Sequence, residues 1–241
     1  ANASARLILS QKKSTIDFED IMNSGKILIC NFSKGLLGED VSELFGIAVL
    51  AKLQLASLRR ARLNQSERRP FYLYVDEFQN FATPSFVQLL SEARKYRLFL
   101  TIAEQSTSQQ DDQQMVNVIL ANVGTVVCFR TGNPQDERML LPLFSPFIEQ
   151  GEISNLPAFN FYAKLSAVHA QEPLSGQTLL LDSAGSDEVV IAVIEHSRAV
   201  FATKHVEPEE KPAEKKPEPK PTKTKPKRQA RKRKATKVLG D

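Results

Sequence analysis

Along the chain, short continuous apolar runs alternate with longer stretches of helical period. Lys26–Phe32, Phe71–Val75, Leu98–Ala103 and Gly124–Phe129 each have strand length, and Leu7–Leu9 is a shorter run of the same kind. Between them, Asp17–Asn23 reads as a short helix, with Asp17 as N-cap and Gly25 as its stop. Glu39–Arg62 reads as a long helix with Val41, Leu44, Phe45, Ala48 and Leu55 on one face and Ile47, Leu50 and Leu58 on another, so the pattern predicts a sandwiched helix. Pro84 suits the first turn of a helix running to about Tyr96. Asp112–Asn122 and the stretch from Pro134 to Leu141 complete the helices. The strands are apolar throughout rather than alternating, which is the habit of buried parallel strands. The rhythm therefore predicts an α/β fold: a mostly parallel sheet in three layers, with helices on both faces. Beyond Pro142 the signal weakens. Asn160–Val168 reads as a further strand and Asp187–Lys204 as either helix or strand, and no internal repeat is present.

Charge divides the 241 residues into two unlike parts. Residues 204–241 hold 14 Lys/Arg and 6 Asp/Glu, a net +8, whereas residues 1–203 are net −4. From His205 onward the composition is Pro, Lys, Glu and Arg with six prolines, too polar to build a core, and disorder is the expectation. The domain boundary is accordingly placed between 203 and 204. Cys30 and Cys128 sit inside apolar runs and far from His169, His196 and His205, which excludes a disulfide scaffold and a Cys/His zinc site. The first residues lack a signal-peptide core, and the longest apolar stretch, Val41–Leu58, contains Glu43, Lys52 and Gln54 and is shorter than the ~20 residues of a membrane span.

Candidate chemistry gathers at one strand end. Phe71-Tyr-Leu-Tyr-Val75 is followed at once by Asp76 and Glu77, the pattern of a Walker B element. There the first acid, Asp76, orients Mg²⁺ through its water shell, and the second, Glu77, polarises the attacking water. A strand end that merely meets solvent has the same look. Gln105 ends the next apolar run, and the intervening helix and strand have the content of a right-handed crossover. Asp76, Glu77 and Gln105 are therefore expected at one sheet edge, where open α/β sheets bind ligands. Arg94, Lys95 and Arg97 close the intervening helix, where cations also stabilise a helix C-terminus by ~0.3–1 kcal/mol each. Arg130 ends the fourth strand, either as a site residue or as a surface arginine pairing Asp136 or Glu137. The phosphate-cradling loop G-x-x-x-x-G-K-[ST] does not occur.

These pieces together resemble the C-terminal half of the RecA-like ATPase domain in type IV secretion coupling proteins, conjugative DNA-transfer ATPases of the wider HerA/FtsK translocase group. The resemblance rests on Gly25-Lys-Ile-Leu-Ile, Asn31-Phe-Ser-Lys-Gly-Leu-Leu-Gly38, Tyr72-Leu-Tyr-Val-Asp-Glu-Phe-Gln-Asn-Phe81, Leu89-Leu-Ser-Glu-Ala-Arg-Lys-Tyr-Arg-Leu98, Asn122-Val-Gly-Thr-Val-Val and Phe129-Arg-Thr-Gly. It implies ATP and Mg²⁺ as cofactors, Asp76 and Glu77 as the Walker B pair, and Gln105 as the γ-phosphate sensor. It also implies Arg94 as a nucleotide-contacting arginine reaching across a subunit boundary, and it places Arg130 among the nucleotide-binding residues. The Walker A loop of such proteins lies upstream, so the expectation is a fragment whose missing half precedes Ala1, inactive alone. The full form would be a hexameric ATPase driving DNA, single-stranded by preference, towards a secretion channel from the cytoplasmic face of the inner membrane. Its partners would be further copies in a ring and secretion-channel or relaxosome proteins. A soluble HerA-type DNA-processing ATPase and a non-catalytic DNA-binding adaptor with a vestigial Walker B are the alternatives. The tail run containing Lys225, Lys227, Arg228, Arg231, Lys232, Arg233 and Lys234 carries no aromatic residue, so it suits phosphate contact rather than base stacking. An anionic membrane surface would attract the same cations, and a solvated tail binding nothing has the same composition.

Overall fold

The computed structural model describes residues 13–109, 113–166, 171–181 and 185–203, together with residues 6, 8 and 11. The run Leu7–Leu9 falls largely outside the described residues, and the basic tail wholly so.

Helix α1 spans Phe18–Ser24; the Asp17 carboxylate accepts from the Glu19 and Asp20 backbone N–H groups, and Gly25 closes it at φ 74°. At that left-handed position only glycine is free of strain, and the expected cap and stop are both found. A single turn, α2 (Lys34–Leu37), precedes the long helix α3 (Glu39–Arg59), which tightens into a 3₁₀ turn over Arg60–Arg62. Phe45, Leu50 and Leu53 of α3 are buried, while Leu44, Ile47 and Leu55 are 47%, 37% and 51% exposed. The helix expected to be sandwiched is thus covered on one side only. By length and apolarity α3 and its extension could cross a membrane. Its buried flank and its packing against α1 are those of a core helix.

Strands β1 (Phe71–Val75) and β2 (Leu98–Ile102) pair in parallel, Phe71 opposite Leu98 and Val75 opposite Ile102. Helix α4 (Pro84–Glu92) and the 3₁₀ turn Ala93–Tyr96 connect them. Val75 and Leu98 pack with Leu50 of α3, Phe86, Val87 and Leu89 of α4, and Ile119 of α5 (Gln113–Asn122) around the fully buried Phe78. The opposite face, bearing Tyr72, Tyr74 and Phe99, is 61%, 72% and 39% exposed.

The fourth run forms β3 (Thr125–Phe129), but it does not join that sheet. It pairs antiparallel with β4 (Asn160–Leu165), which pairs antiparallel with β5 (Leu174–Gln177). Helix α6 (Pro134–Phe144) follows β3, and Phe144 and Ile153 pack on Cys128. The last helix, α7 (Asp187–Phe201), has no buried residue. The expected mostly parallel, doubly covered sheet is therefore corrected to an α/β fold with one parallel pair and one antiparallel three-stranded sheet, flanked by helices. Lys26–Phe32 forms no ladder among the described residues, with Ile27 and Ile29 at 89% and 79% exposure. The physical reason is that Val126-Val-Cys-Phe129 is apolar on both faces in either orientation, and the run itself does not reveal its partner.

One buried cation ties this frame together. Arg60 is 1% exposed and pairs with no carboxylate among the described residues. Its guanidinium donates to Asn23 Oδ1 at 2.9 Å and to the carbonyls of Met22, Arg69 and Tyr96 at 2.6, 2.8 and 3.1 Å. Burial, and then the charge of Arg68, pulls its pKa down from the usual arginine value.

Candidate functional site

The carboxyl end of β1 turns sharply. Asp76 accepts the Glu77 backbone N–H at 3.0 Å, and Glu77 itself sits at φ 50°, ψ 45°. A glutamate in the left-handed region is uncommon and is held only where its surroundings over-determine it. Here two anchors do so. The next residue, Phe78, is fully buried against Phe86, with ring centroids 5.5 Å apart, and its N–H bonds the Ala103 carbonyl beyond β2 at 3.0 Å. The 3₁₀ turn Phe78–Asn80 then leads to Phe81, beneath which α3 passes closely. A Cβ at Gly46 would lie 2.2 Å from the Phe81 ring, so a side chain there would push the turn away.

This turn aims the Glu77 carboxylate between two amides. Gln105 Nε2 donates to Oε1 and Gln79 Nε2 to Oε2, each at 2.6 Å. The structure brings together Asp76, Glu77 and Gln105 at the carboxyl ends of two adjacent parallel strands, as expected of them. Gln79 was not singled out from the sequence, although its place two residues after the acid pair was the available signal. Lys34 was also missed. Its ammonium donates to Asn80 Oδ1 at 3.0 Å and to Glu39 Oε1 at 2.8 Å, bracing the acidic turn from α2. The hydrogen bond to Glu39, followed by the fields of Glu39, Glu43 and Glu77, holds the Lys34 pKa above the usual lysine value.

The loop after Gln105 is fixed by a third residue whose role was missed. Asp136, 3% exposed in the first turn of α6, accepts from Ser106 Oγ at 2.8 Å, Thr107 Oγ1 at 2.6 Å and Ser108 N at 3.3 Å. Nearby, Glu137 accepts from the Gly151 N–H and the Ser154 hydroxyl. The Ser154 hydroxyl and then those backbone N–H groups hold its carboxyl below the usual range. Asp136 is thereby occupied by the loop after β2 and Glu137 by the loop after α6, and among the described residues neither pairs Arg130.

Arg94 is exposed on the 3₁₀ turn that enters β2 and so lies at the amino end of the parallel strands, opposite the acids. Within one chain the length of a five-residue strand, roughly 16 Å, separates it from Glu77. Arg130 follows β3 in the other sheet. The tail cations lie outside the described residues. Among the described residues no cluster of three metal-ligating side chains forms. Asp76, exposed beside a broad cleft, offers a single hard carboxylate donor. That donor set fits Mg²⁺ held mainly by water and substrate phosphates, and does not fit a protein-caged metal.

Residues 70–140, less than a third of the chain, match the family model TraG-D_C, described as the TraM recognition site of TraD and TraG. Among solved structures, the chain resembles the bacterial conjugative coupling protein TrwBdeltaN70 in an unbound form, at 19% identity and a TM-score of 0.47, over 56% of this chain and 37% of that one. It also resembles the plasmid coupling protein TrwB with ADP and Mg²⁺ (21% identity, TM-score 0.44, 56% and 37% covered) and TrwB with a non-hydrolysable ATP analogue (22% identity, TM-score 0.45, 58% and 39% covered). The chain thus spans less than two fifths of these proteins' length. No curated protein matches it.

Proposed function

We propose that residues 1–203 are the Walker-B-bearing part of an ATP-driven DNA translocase of the conjugative coupling kind, with Glu77 as the base that polarises water. The observation that carries this reading is the Glu77 carboxylate, held in a left-handed turn and bracketed by Gln79 and Gln105. A solvent-facing strand end would need neither the strained backbone nor the amides. The family match over residues 70–140 supports it independently of the geometry.

In this reading Asp76 holds the water shell of Mg²⁺ when Mg·ATP is bound, and the metal supplies charge neutralisation at the phosphates. Glu77 draws a proton from the attacking water, and an amide that also hydrogen-bonds the base, Gln105, senses the γ-phosphate. Arg94, at the far end of the strands, serves a neighbouring copy's nucleotide, which accords with action across a ring interface. Arg130 contacts nucleotide less directly. The phosphate-cradling motif G-x-x-x-x-G-K-[ST] does not occur in residues 1–241, so in this reading the cradle comes from other polypeptide. The polybasic run of the tail, with Lys225, Lys227, Arg228, Arg231, Lys232, Arg233 and Lys234, contacts DNA phosphates; relaxosome or secretion-channel proteins complete the partners. The work is done at the cytoplasmic face of the inner membrane.

Two experiments test it. Purified 1–241 should show no measurable ATP turnover, and robust turnover would refute the need for an outside cradle. In a longer molecule carrying a phosphate loop, Asp76→Asn should weaken Mg²⁺-dependent nucleotide binding as well as rate. Unchanged affinity there would remove Asp76 from the metal shell.

A further inference from the structure

Of the described cations lining the cleft beside β1, Lys26 and Arg69 stand by Gly25 at the amino end of the strand, and Lys34 alone stands by the acids. Lys34 is carried on α2, which has no buried residue, and its side chain is 42% exposed. Its ammonium nevertheless reaches a residue 46 positions further along the chain, Asn80. Asn80 is bonded in two directions. Its side-chain oxygen accepts from Lys34 at 3.0 Å, and its backbone N–H donates to the Glu77 carbonyl at 3.0 Å. The second bond fixes the peptide plane that leaves Glu77, and with it the ψ of 45° that completes the left-handed turn. One hydrogen-bonded path therefore runs from the Lys34 ammonium to the backbone of Glu77. The amino side of the turn has its own anchor in the buried Phe78, whose N–H bonds the Ala103 carbonyl. The other side is held by Lys34, by the Phe32 ring edge-on to Phe81 at 6.3 Å, and by the close pass of Gly46. Lys34 is the polar member of that set.

We propose that Lys34 is a positioning residue for the base, a role that rests on the reading of Glu77 as that base. Lys34 holds Asn80, Asn80 holds the Glu77 carbonyl, and the carboxylate is thereby aimed at the attacking water. A bond from an ammonium to an amide oxygen is charge-assisted and stiffer than a neutral one. Arginine offers the same kind of donor, whereas methionine keeps the length of the side chain and offers none. The Lys34–Glu39 pair is exposed and adds little to stability, so removing the ammonium should leave the fold intact. A misplaced base, in contrast, loses rate out of proportion to its displacement.

The test has two arms. The first is amide hydrogen exchange on 1–241. Lys34→Met should speed exchange at the Asn80 N–H by about tenfold while Phe78, bonded to Ala103, stays protected. Lys34→Arg should restore the slow rate at Asn80, and Glu39→Gln should leave it unchanged. The second arm is steady-state ATPase activity in the longer molecule that carries a phosphate loop. There Lys34→Met should lower kcat by about tenfold or more at unchanged KM for Mg·ATP, with Lys34→Arg recovering most of it and Asn80→Ala reproducing the loss. Unchanged exchange at Asn80 in Lys34→Met, an equal rise in Glu39→Gln, or a raised KM with kcat intact would each overturn the positioning role and leave the base assigned. Full turnover in Glu77→Gln, run alongside, would overturn the base and with it the role of Lys34. That failure is told apart because it appears in the Glu77 arm.

Discussion

The two sheets of this chain are both made from apolar runs, yet they carry different duties. In the parallel pair β1–β2 the chain leaves each strand at the same end, so Glu77 and Gln105 meet at 2.6 Å. In the antiparallel sheet successive strands end on opposite sides, and β3 delivers Arg130 with no ladder partner from the acid-bearing sheet. Parallel pairing therefore concentrates polar strand ends, whereas antiparallel pairing disperses them. Asp136 links the two regions, reaching from the helix after β3 to the Ser106–Ser108 loop after β2.

The comparison is broken most severely at Phe78. This fully buried ring locks the acidic turn to the core, and Phe78→Ala should cost about 3–5 kcal/mol in urea unfolding. Phe129, 48% exposed on the open face of the other sheet and touching Phe161 edge-on, should cost only about 1 kcal/mol on the same change. Equal losses would mean that the two faces are not covered as described.

Asp136→Ala comes next. It leaves the Ser106 and Thr107 hydroxyls and the Ser108 N–H without their acceptor, an expected cost of about 1–3 kcal/mol. Amide exchange should rise in the 105–108 loop and remain unchanged in β4–β5. A uniform rise across both sheets would show that Asp136 supports the fold at large and does not act as a local link.

These predictions bear on what the sequence revealed. The strand ends were legible because Asp76-Glu77 and Gln105 close apolar runs separated by one helix and one strand, and such spacing leaves a single simple crossover. The Asp17 cap and Gly25 stop were legible from local chemistry. The partner of β3 was not, since Val126–Phe129 carries no mark of strand direction. Lys34 and Asp136 were missed because their roles arise from contacts 46 and 28–30 residues away in sequence, which no local pattern encodes.

A smaller effect separates the regions by pH. The Glu137 carboxyl is held below its unfolded value by Ser154 and neighbouring N–H groups. Its contribution is therefore present above the ordinary glutamate pKa of about 4.3 and is lost as pH falls through the lower native value. Stability of the parent should fall on acidification through that window, and Glu137→Gln should flatten the fall. An unchanged acid profile would place the lost stability elsewhere.

The smallest effect is on thiol labelling. Burial, with Asp136 and Glu137 adding to it, pushes the Cys128 pKa up to about 11, and the side chain is 4% exposed. At pH 8 about one such thiol in a thousand is ionised. Iodoacetamide should modify exposed Cys30 first and reach Cys128 only on unfolding. Early labelling of Cys128 would show that the β3 sheet opens.

The central claim is that Glu77 polarises water. Its most direct test is steady-state ATPase activity, measured beside nucleotide affinity, for Glu77→Gln in a longer molecule that supplies the phosphate loop. The substitution keeps size and hydrogen-bonding capacity and removes the charge that draws the proton. Affinity for Mg·ATP should persist while turnover falls by about 10²–10⁴, the usual loss of a general base. Unchanged turnover at unchanged affinity would contradict the claim and reduce the turn at Glu77 to an architectural feature.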